Sequence, residues 1–241
     1  VRQFSAKELF SGSNPLVALE LKMPQKRKEL KIEGPNLWYL TGLITSDGCL
    51  CKDGRHVDIT AKDQDFLQLI KDRMGLTSRV CIKNKNTSKQ AYRIQIANKG
   101  FYDFLLSVGL MQNKSLILKQ IKVPSPYFID FLRGLIDGDG CIRKWIHPSN
   151  NKEQWSLRIY SVSGEFMKWL KESTESLLKV LGRLYREEND LRILKFGKMA
   201  VREIARRCYY KDFLGLDMKI KLAQECLVSY QGWNKSKTVY G

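Results

Sequence analysis

The stretch LTGLITSDGCL at residues 40–50 decides the fold, because LRGLIDGDGCI at residues 132–142 repeats its pattern. Equivalent positions of the two copies are 92 residues apart. Each copy keeps leucine, glycine, isoleucine and an Asp-Gly-Cys sequence in the same places. An internal repeat this close indicates that the chain contains two halves of similar structure.

Each copy of the repeat reads as the end of a helix. Its leucines and isoleucine recur at helical spacing and therefore form one apolar face. Gly42 and Ser46 are four residues apart, as are Gly134 and Gly138, so each helix also has a face of small side chains. Such a face lets another backbone approach closely. The repeat therefore predicts two helices that pack against each other along their small faces.

Packing of this kind would bring Asp47 and Asp139 side by side at the end of the helix pair. Two neighbouring carboxylates repel each other unless a cation lies between them. Mg²⁺ prefers oxygen ligands, usually one or two carboxylates together with water and phosphate. The two aspartates are therefore the predicted ligands of a divalent metal ion, with Mg²⁺ as the expected cofactor.

The paired segments resemble the signature motifs of the LAGLIDADG homing endonucleases, in the single-chain form with two motifs. The resemblance covers about residues 35–230 and implies a site-specific double-strand DNA endonuclease that hydrolyses phosphodiester bonds at a long asymmetric target. It implies metal binding at the eighth motif position, which Asp47 and Asp139 occupy. It also implies that the carbonyl groups of Ser46 and Gly138 turn towards the metal. Ca²⁺ is expected to support binding without cleavage.

The resemblance also implies one basic residue beside each active site. In the first half Lys114 follows the third predicted helix and is the preferred candidate, with Lys119 and Lys122 as competitors. In the second half the equivalent is Lys219, with Lys221 as its competitor.

Two departures from the family pattern predict that the half-sites differ. The first motif has Thr45 and Ser46 where Asp-Ala is typical, although the sixth position is not the metal ligand in the family. The family commonly has a polar residue after the second strand to position water, and alignment of the halves gives Ala61 and Ser161 there. Because Ala61 cannot hold water through its side chain, one DNA strand is expected to be cut faster.

Each half shows the order helix, two strands, helix, two strands, helix. We predict an α+β fold of two pseudo-symmetric αββαββα halves, with the motif helices packed at the interface between them. The antiparallel four-stranded sheets would form a concave DNA-binding saddle, since the major groove admits β-ribbons. The predicted division is an N-terminal arm at 1–34, a first half at 35–121, and a second half at 122–241 that ends in a loose polar tail.

Base contacts are expected from side chains on the exposed sides of the strands. Arginine suits guanine and glutamine suits adenine, and each such pair is worth roughly 1–3 kcal/mol. The candidates are Cys51, His56, Asp58, Thr60, Arg79, Lys83, Arg93, Gln95, Arg143, Trp145, His147, Arg158, Tyr160, Arg183 and Arg192.

Composition supports a polyanionic partner. The 42 lysines and arginines outnumber the 25 acidic residues and give a net charge of +17, which favours binding to double-stranded DNA. The six cysteines contain no C-x-x-C pair and only two histidines are present, so a structural zinc site has little support. We expect reduced thiols and an intracellular protein, located in a bacterial cytoplasm or in an organelle. We also expect the protein to be a monomer. No apolar run is long enough to predict a membrane span.

Two alternative functions use the same scaffold, the first with or without DNA cleavage and the second without it. One is a maturase that binds the RNA of its host intron, and the other is a cleavage-inactive DNA-binding protein. A protein that only binds needs neither aspartate, so retention of both favours the nuclease.

Overall fold

The computed structural model describes residues 33–83 and 90–229. The predicted N-terminal arm lies almost wholly outside the described residues. The turn at residues 84–89 and the tail from residue 230 lie outside them too.

The first half runs from the first motif helix to a short helix after the second β-hairpin. Its elements are α1 (Gly34–Asp47), β1 (Gly48–Leu50), β2 (His56–Ala61), α2 (Gln64–Arg73), β3 (Val80–Ile82), β4 (Tyr92–Ala97), α3 (Lys99–Ser107) and α4 (Lys114–Ile117). The four strands form an antiparallel sheet in the order β1-β2-β4-β3.

The second half repeats this arrangement. Its elements are α5 (Phe128–Asp139), β5 (Cys141–Ile146), β6 (Glu153–Ser161), α6 (Gly164–Leu178), β7 (Gly182–Arg186), β8 (Arg192–Phe196), α7 (Lys198–Cys208) and α8 (Asp217–Ser229). Its antiparallel sheet has the equivalent order β5-β6-β8-β7. The predicted α+β fold with two four-stranded antiparallel sheets is confirmed, while the domain boundary after residue 121 stays a prediction.

Helix α8 is an addition to the αββαββα pattern of the second half, as the short helix α4 is to that of the first. Helix α8 occupies 13 residues that the sequence pattern left as a strand-free connection and tail. Its buried face consists of Lys219, Ala223 and Cys226, whereas Met218 and Val228 are exposed. A buried face without large apolar side chains gives little amphipathic signal, which is why the sequence pattern missed this helix.

Side-chain caps fix the starts of α2, α3 and α6, each of which follows a strand, whereas α7 begins after Gly197 without one. A capping side chain accepts a hydrogen bond from an N–H group of the first turn that has no partner inside the helix. The caps are Asp63, Asn98 and Ser163, which accept from the N–H groups of Phe66, Phe101 and Phe166 at 3.1, 2.8 and 3.3 Å.

The two motif helices, α1 and α5, pack along their small faces as predicted. A Cβ atom built on Gly42 would lie 2.0 Å from the carbonyl oxygen of Phe131, and one on Gly134 would lie 2.0 Å from that of Tyr39. Each glycine therefore admits the other helix's backbone. The apolar faces of both helices continue into one hydrophobic core shared with the inner faces of the sheets.

Within the described residues, no helix is long and apolar enough to cross a membrane.

Candidate active site and nucleic-acid interface

The close packing of α1 and α5 brings their last residues, Asp47 and Asp139, to the same end of the helix pair. A Cβ atom on Gly138 would lie 1.9 Å from Ser46 Oγ and 3.2 Å from Asp47 Oδ2. Both aspartates are partly open to solvent, although neighbouring atoms desolvate their carboxylates. The structure thus brings together the two aspartates that the sequence singles out.

The surroundings disfavour the ionised form of both carboxylates, so the pKa of each is raised. Desolvation, followed by the negative charge of Asp139, raises the pKa of Asp47 to about 6, while Lys114 and Lys219 act in the opposite direction. Desolvation also raises the pKa of Asp139, and Lys114 opposes that rise. The two carboxylates therefore lie where additional positive charge would be favourable.

Each half contributes one buried lysine to this centre. Lys114 Nζ donates a hydrogen bond to the carbonyl oxygen of Gly48, and Lys219 Nζ donates one to the carbonyl oxygen of Gly140. These glycines directly follow the two aspartates in sequence. Desolvation lowers the pKa of both lysines, and nearby acidic groups oppose the change.

The competing lysines are exposed. Lys119 pairs with Glu165 at 3.6 Å on the surface, and Lys122 and Lys221 are exposed as well. Burial and the carbonyl contacts therefore favour Lys114 and Lys219 as the basic residues of the two half-sites.

The oxygen ligands available here suit a hard divalent cation. Among the described residues, no group of three or more histidine, cysteine, aspartate or glutamate side chains could hold a metal. The last carbonyl groups of a helix have no partner inside it, and those of Ser46 and Gly138 belong to this class. Two carboxylates and two carbonyl groups, completed by water or phosphate, fit the preference of Mg²⁺.

A cavity of about 260 Å³ adjoins this centre on the side of the second half. Its polar lining includes Ser46, Lys114, Asp139 and Ser161. Ser161 occupies the position where the sequence predicts a polar, water-positioning group. Ala61, the equivalent residue of the first half, offers only a methyl group.

The strand register shows which side chains of the first sheet face away from the helices. Residues paired across the strands share a face, and the face opposite the core carries Cys49, His56, Asp58, Thr60, Cys81, Arg93 and Gln95. Asp58 accepts hydrogen bonds from Gln95 at 2.9 Å and Arg93 at 3.5 Å. Lys83 reaches Thr60 Oγ1 at 3.2 Å, and Cys51 and Arg79 lie just beyond strand ends.

The outer face of the second sheet is more strongly basic. It carries Cys141, Arg143, Trp145, Gln154, Ser156, Arg158, Tyr160, Arg183, Tyr185 and Lys195. His147 follows the end of β5, where Ser149 contacts its Nδ1 atom at 2.9 Å. No acidic side chain lies among these described outward-facing positions.

Arg192 lies on the inner face of the second sheet, and its predicted place on the outer face is wrong. It pairs with Ser161 and Arg186 and shares its strand parity with Leu194 and Phe196, whose side chains lie in the core. Lys195, opposite Arg158 and Arg183, holds the outward position that the sequence assigned to Arg192.

Several outward residues were absent from the sequence-based set. Cys49, Cys141 and Gln154 follow from the same period-two counting that gave Arg143. Lys195 was obscured because Ile193 and Leu194 are both apolar, which hides the alternation of β8.

Comparison with known proteins supports the resemblance inferred from the motifs. Residues 34–109 match the LAGLIDADG-like domain family. No curated protein matches the chain.

Solved structures share the fold at low sequence identity. Full-length DUF199/WhiA from Thermatoga maritima is 13% identical, with a TM-score of 0.53, over 88% of this chain and 65% of that one. This chain therefore spans less than two thirds of the length of that protein. I-DmoI in complex with DNA and Ca is 16% identical with a TM-score of 0.52, over 79% and 97%. Meganuclease I-SmaMI bound to uncleavable DNA is 13% identical with a TM-score of 0.56, over 83% and 92%.

Proposed function

We propose that this protein of the LAGLIDADG family is a site-specific double-strand DNA endonuclease that acts as a monomer and depends on a divalent metal ion, Mg²⁺ in particular. The observation that carries the proposal is the repeated arrangement of aspartate, buried lysine and backbone carbonyl. It occurs once in each half: Lys114 binds the carbonyl group that follows Asp47, and Lys219 binds the one that follows Asp139. The cavity beside Asp139 is lined by Lys114, so the two halves build one shared centre. A protein that only binds nucleic acid has no use for such a centre.

Asp47 and Asp139 would hold the metal, together with the carbonyl groups of Ser46 and Gly138. When bound, the metal ion would activate water and stabilise the leaving oxygen. I-DmoI, which has the same fold, was crystallised with DNA and Ca, and this agrees with a divalent metal at the centre.

The lysines would stabilise negative charge at the phosphate. Lys114 and Lys219 are held by hydrogen bonds to Gly48 and Gly140, so their ammonium groups need little rearrangement when charge develops. Preorganised donors of this kind contribute more in a partly dehydrated site than in water. Their positive charge also offsets the repulsion between the two aspartates.

The sheets would bind the DNA duplex. Four cations on the second sheet, Arg143, Arg158, Arg183 and Lys195, suit phosphates and guanine edges. The first sheet instead presents Asp58 with Gln95 and Arg93. Because the two faces differ throughout, the preferred target is asymmetric.

The two half-sites would also differ in water positioning. Ser161 lines the cavity next to Asp139, whereas Ala61 has no polar side chain. One strand is therefore expected to be cut before the other, with a nicked intermediate.

The experiment is cleavage of a randomised duplex library with Mg²⁺ and, separately, with Ca²⁺. We expect one long asymmetric sequence to be cut with Mg²⁺ and to be bound but uncut with Ca²⁺. The variants Asp47→Asn and Asp139→Asn should bind this sequence without double-strand cutting. Asp103→Asn, which alters an exposed acid on α3, is the matched control.

Undiminished cutting by both aspartate variants would contradict the proposal. Enrichment of a bound but uncut sequence with both metals would favour a DNA-binding protein without cleavage. Binding of structured intron RNA in preference to any duplex would favour a maturase.

A further inference from the structure

Asp137, two residues before the second active-site aspartate, is buried and joins three separate parts of the chain. Its side chain accepts hydrogen bonds from Tyr39 Oη at 2.8 Å and Tyr209 Oη at 3.0 Å. The backbone N–H of Leu216 donates a third at 2.8 Å. Tyr39 lies on α1, Tyr209 follows α7 and Leu216 precedes α8.

Leu216 is the residue from which α8 begins. Its carbonyl oxygen accepts hydrogen bonds from the N–H groups of Lys219 at 2.8 Å and Ile220 at 3.0 Å. One helical turn further on, Lys219 Nζ contacts the carbonyl oxygen of Gly140. A continuous series of hydrogen bonds thus leads from Asp137 through Leu216 to the lysine of the second half-site.

The buried side chain of Arg133 also holds the segment that leads to Leu216, through the carbonyl groups of Cys208 and Leu214. The guanidinium of Arg133 is fully buried, pairs with Asp130 at 3.0 Å and donates to the carbonyl oxygens of Cys208 at 2.9 Å and Leu214 at 2.8 Å. Polar groups buried together in this way constrain one another's positions, although Arg133 Nη2 meets Asp130 as an ion pair and makes no hydrogen bond. The segment from Cys208 to Leu216 is therefore fixed at several points against α5.

Among the described residues, the first motif helix makes no equivalent hydrogen bond to the segment before its lysine. That segment is held instead by Gln112, whose Nε2 donates to the carbonyl oxygen of Cys51 at 3.3 Å and to Tyr102 Oη at 2.8 Å. Thr45 stands where the second motif has Asp137, and its hydroxyl donates to the carbonyl oxygen of Thr41, one turn earlier in α1, at 2.7 Å. Lys114 lies in α4, a helix of four residues whose N-cap, Asn113, makes no side-chain capping hydrogen bond.

We propose that Asp137 is a positioning residue that fixes Lys219 at the second half-site by holding the N–H of Leu216. It is not a metal ligand, because its oxygens already accept hydrogen bonds from three donors. The proposal rests on the proposed nuclease function and adds that the two lysines, Lys114 and Lys219, are held in place by different means. The second lysine is anchored through the motif helix itself, and the first is not.

Strand-resolved cleavage separates this role from a general effect on folding. Lys219→Met first identifies the strand whose cutting depends on Lys219. Asp137→Thr, which gives the second motif the residue of the first, should slow that same strand by about 10- to 100-fold, as expected for a displaced catalytic group. The other strand should keep its rate to within about twofold, and the double variant should be no slower than Lys219→Met.

Asp137→Asn is the conservative variant. Its amide oxygen can still accept from Leu216, and its NH₂ group can donate to the hydroxyl oxygen of Tyr209. It should therefore cut both strands at rates close to those of the wild type. Asp103→Asn is the control for the loss of one carboxylate charge, because Asp103 is exposed on α3 in the first half and pairs with Lys99.

Equal slowing of both strands by Asp137→Thr would overturn the positioning role, as would loss of activity in Asp137→Asn. The first result indicates a folding effect and the second a requirement for charge. A wild-type protein that cuts neither strand would instead contradict the proposed nuclease function.

Amide hydrogen exchange tests the connection without cleavage and without requiring that the threonine variant be stable. The Leu216 amide should exchange slowly in the wild type and in Asp137→Asn. Fast exchange of Leu216 in the wild type would show that the hydrogen bond to Asp137 is absent and would overturn the proposal.

Discussion

Lys114 donates a hydrogen bond from its buried Nζ to the carbonyl oxygen of Gly48, which joins the short helix α4 to the start of strand β1. Lys114 is 8% exposed and Lys219 is 7% exposed. A lysine is almost never this buried without a partner. Because the same contact recurs between Lys219 and Gly140, the position of each lysine relative to the pair of aspartates is fixed by the backbone.

Replacement of Lys114 tests this arrangement. Lys114→Met keeps an unbranched side chain of similar length but removes the ammonium group. We expect cleavage of the DNA strand whose cutting depends on Lys114 to slow by about 100-fold, because one preorganised electrostatic group is lost. DNA affinity should be nearly unchanged. Single-turnover cleavage and a binding titration with Ca²⁺ measure the two effects.

Lys119→Met is the matched control for that experiment. The side chain of Lys119 is 71% exposed and its ion pair with Glu165 is at the surface, where such pairs contribute little. Equal loss of cleavage in both variants would show that net charge, and not the position of Lys114, is responsible.

The glycines between the motif helices should not tolerate a methyl group. In Gly42→Ala or Gly134→Ala the new Cβ would lie 2.0 Å from a backbone carbonyl oxygen, so the helices must separate. We expect a loss of about 2–4 kcal/mol in the free energy of unfolding, measured by chemical denaturation.

Gly100→Ala adds the same methyl group, but it should raise the free energy of unfolding where the other two variants lower it. Its Cβ would meet only Asn98 Oδ1 at 3.5 Å, within helix α3. Alanine favours a helix over glycine by up to about 1 kcal/mol, so this variant should be slightly more stable. If all three variants changed stability equally, the close contact of α1 and α5 would be wrong.

Much of this architecture could be predicted from the repeat, because its features act locally. The spacing of Gly42 and Ser46 marks a small helix face, and strand alternation gives the outward positions of Arg93 and Arg143. Asp47 and Asp139 come together because of the packing that the repeat predicts.

The remaining features depend on contacts between distant residues. Asp137 bonds to groups 72, 79 and 98 positions away, and no local pattern reveals such partners. Helix α8 is stabilised by its position against α7 and carries a lysine on its buried face, which contradicts the usual helical pattern. Arg192 was misassigned because two apolar residues follow it, so the strand's parity depends on its pairing.

Metal binding should stabilise the folded protein independently of any cleavage. A cation bound between Asp47 and Asp139 offsets their repulsion and binds only the folded state. At 100 times the dissociation constant the gain is about 2.7 kcal/mol. Thermal unfolding with added Mg²⁺ or Ca²⁺ should show a rise for the wild type and for Asp103→Asn, and a much smaller rise for Asp47→Asn. Equal rises in all three proteins would place the metal elsewhere.

Without metal, Asp47 should reduce stability at neutral pH. Its pKa is about 6 in the folded protein against an ordinary value of 3.8, so the folded state holds the proton more tightly. Stability from this group is present below about pH 4 and is lost as the pH rises to about 6. Asp47→Asn should therefore be more stable than the wild type above pH 6, by roughly 1 kcal/mol after allowance for solvent screening, and equal to it near pH 4.

Denaturation in the presence of a chelator, at a series of pH values, measures this difference. Asp137, whose pKa burial also raises to about 6, is present in both proteins and cancels from the comparison. A constant difference between pH 4 and pH 8 would contradict the assigned shift.

The two arginines Arg143 and Arg192 should differ in their contribution to DNA binding. Arg143 is exposed on the outer face of the second sheet, opposite Ser156, whereas Arg192 lies on the face that packs against the helices. Each phosphate contact contributes about 0.9 to the slope of log affinity against log salt concentration. Arg143→Ala should therefore reduce this slope by up to about 1 if it contacts a phosphate, or lower affinity for one base pair if it reads guanine. Arg192→Ala should leave both quantities unchanged, and a salt slope reduced by Arg192→Ala alone would mean that the opposite face of the sheet meets the DNA.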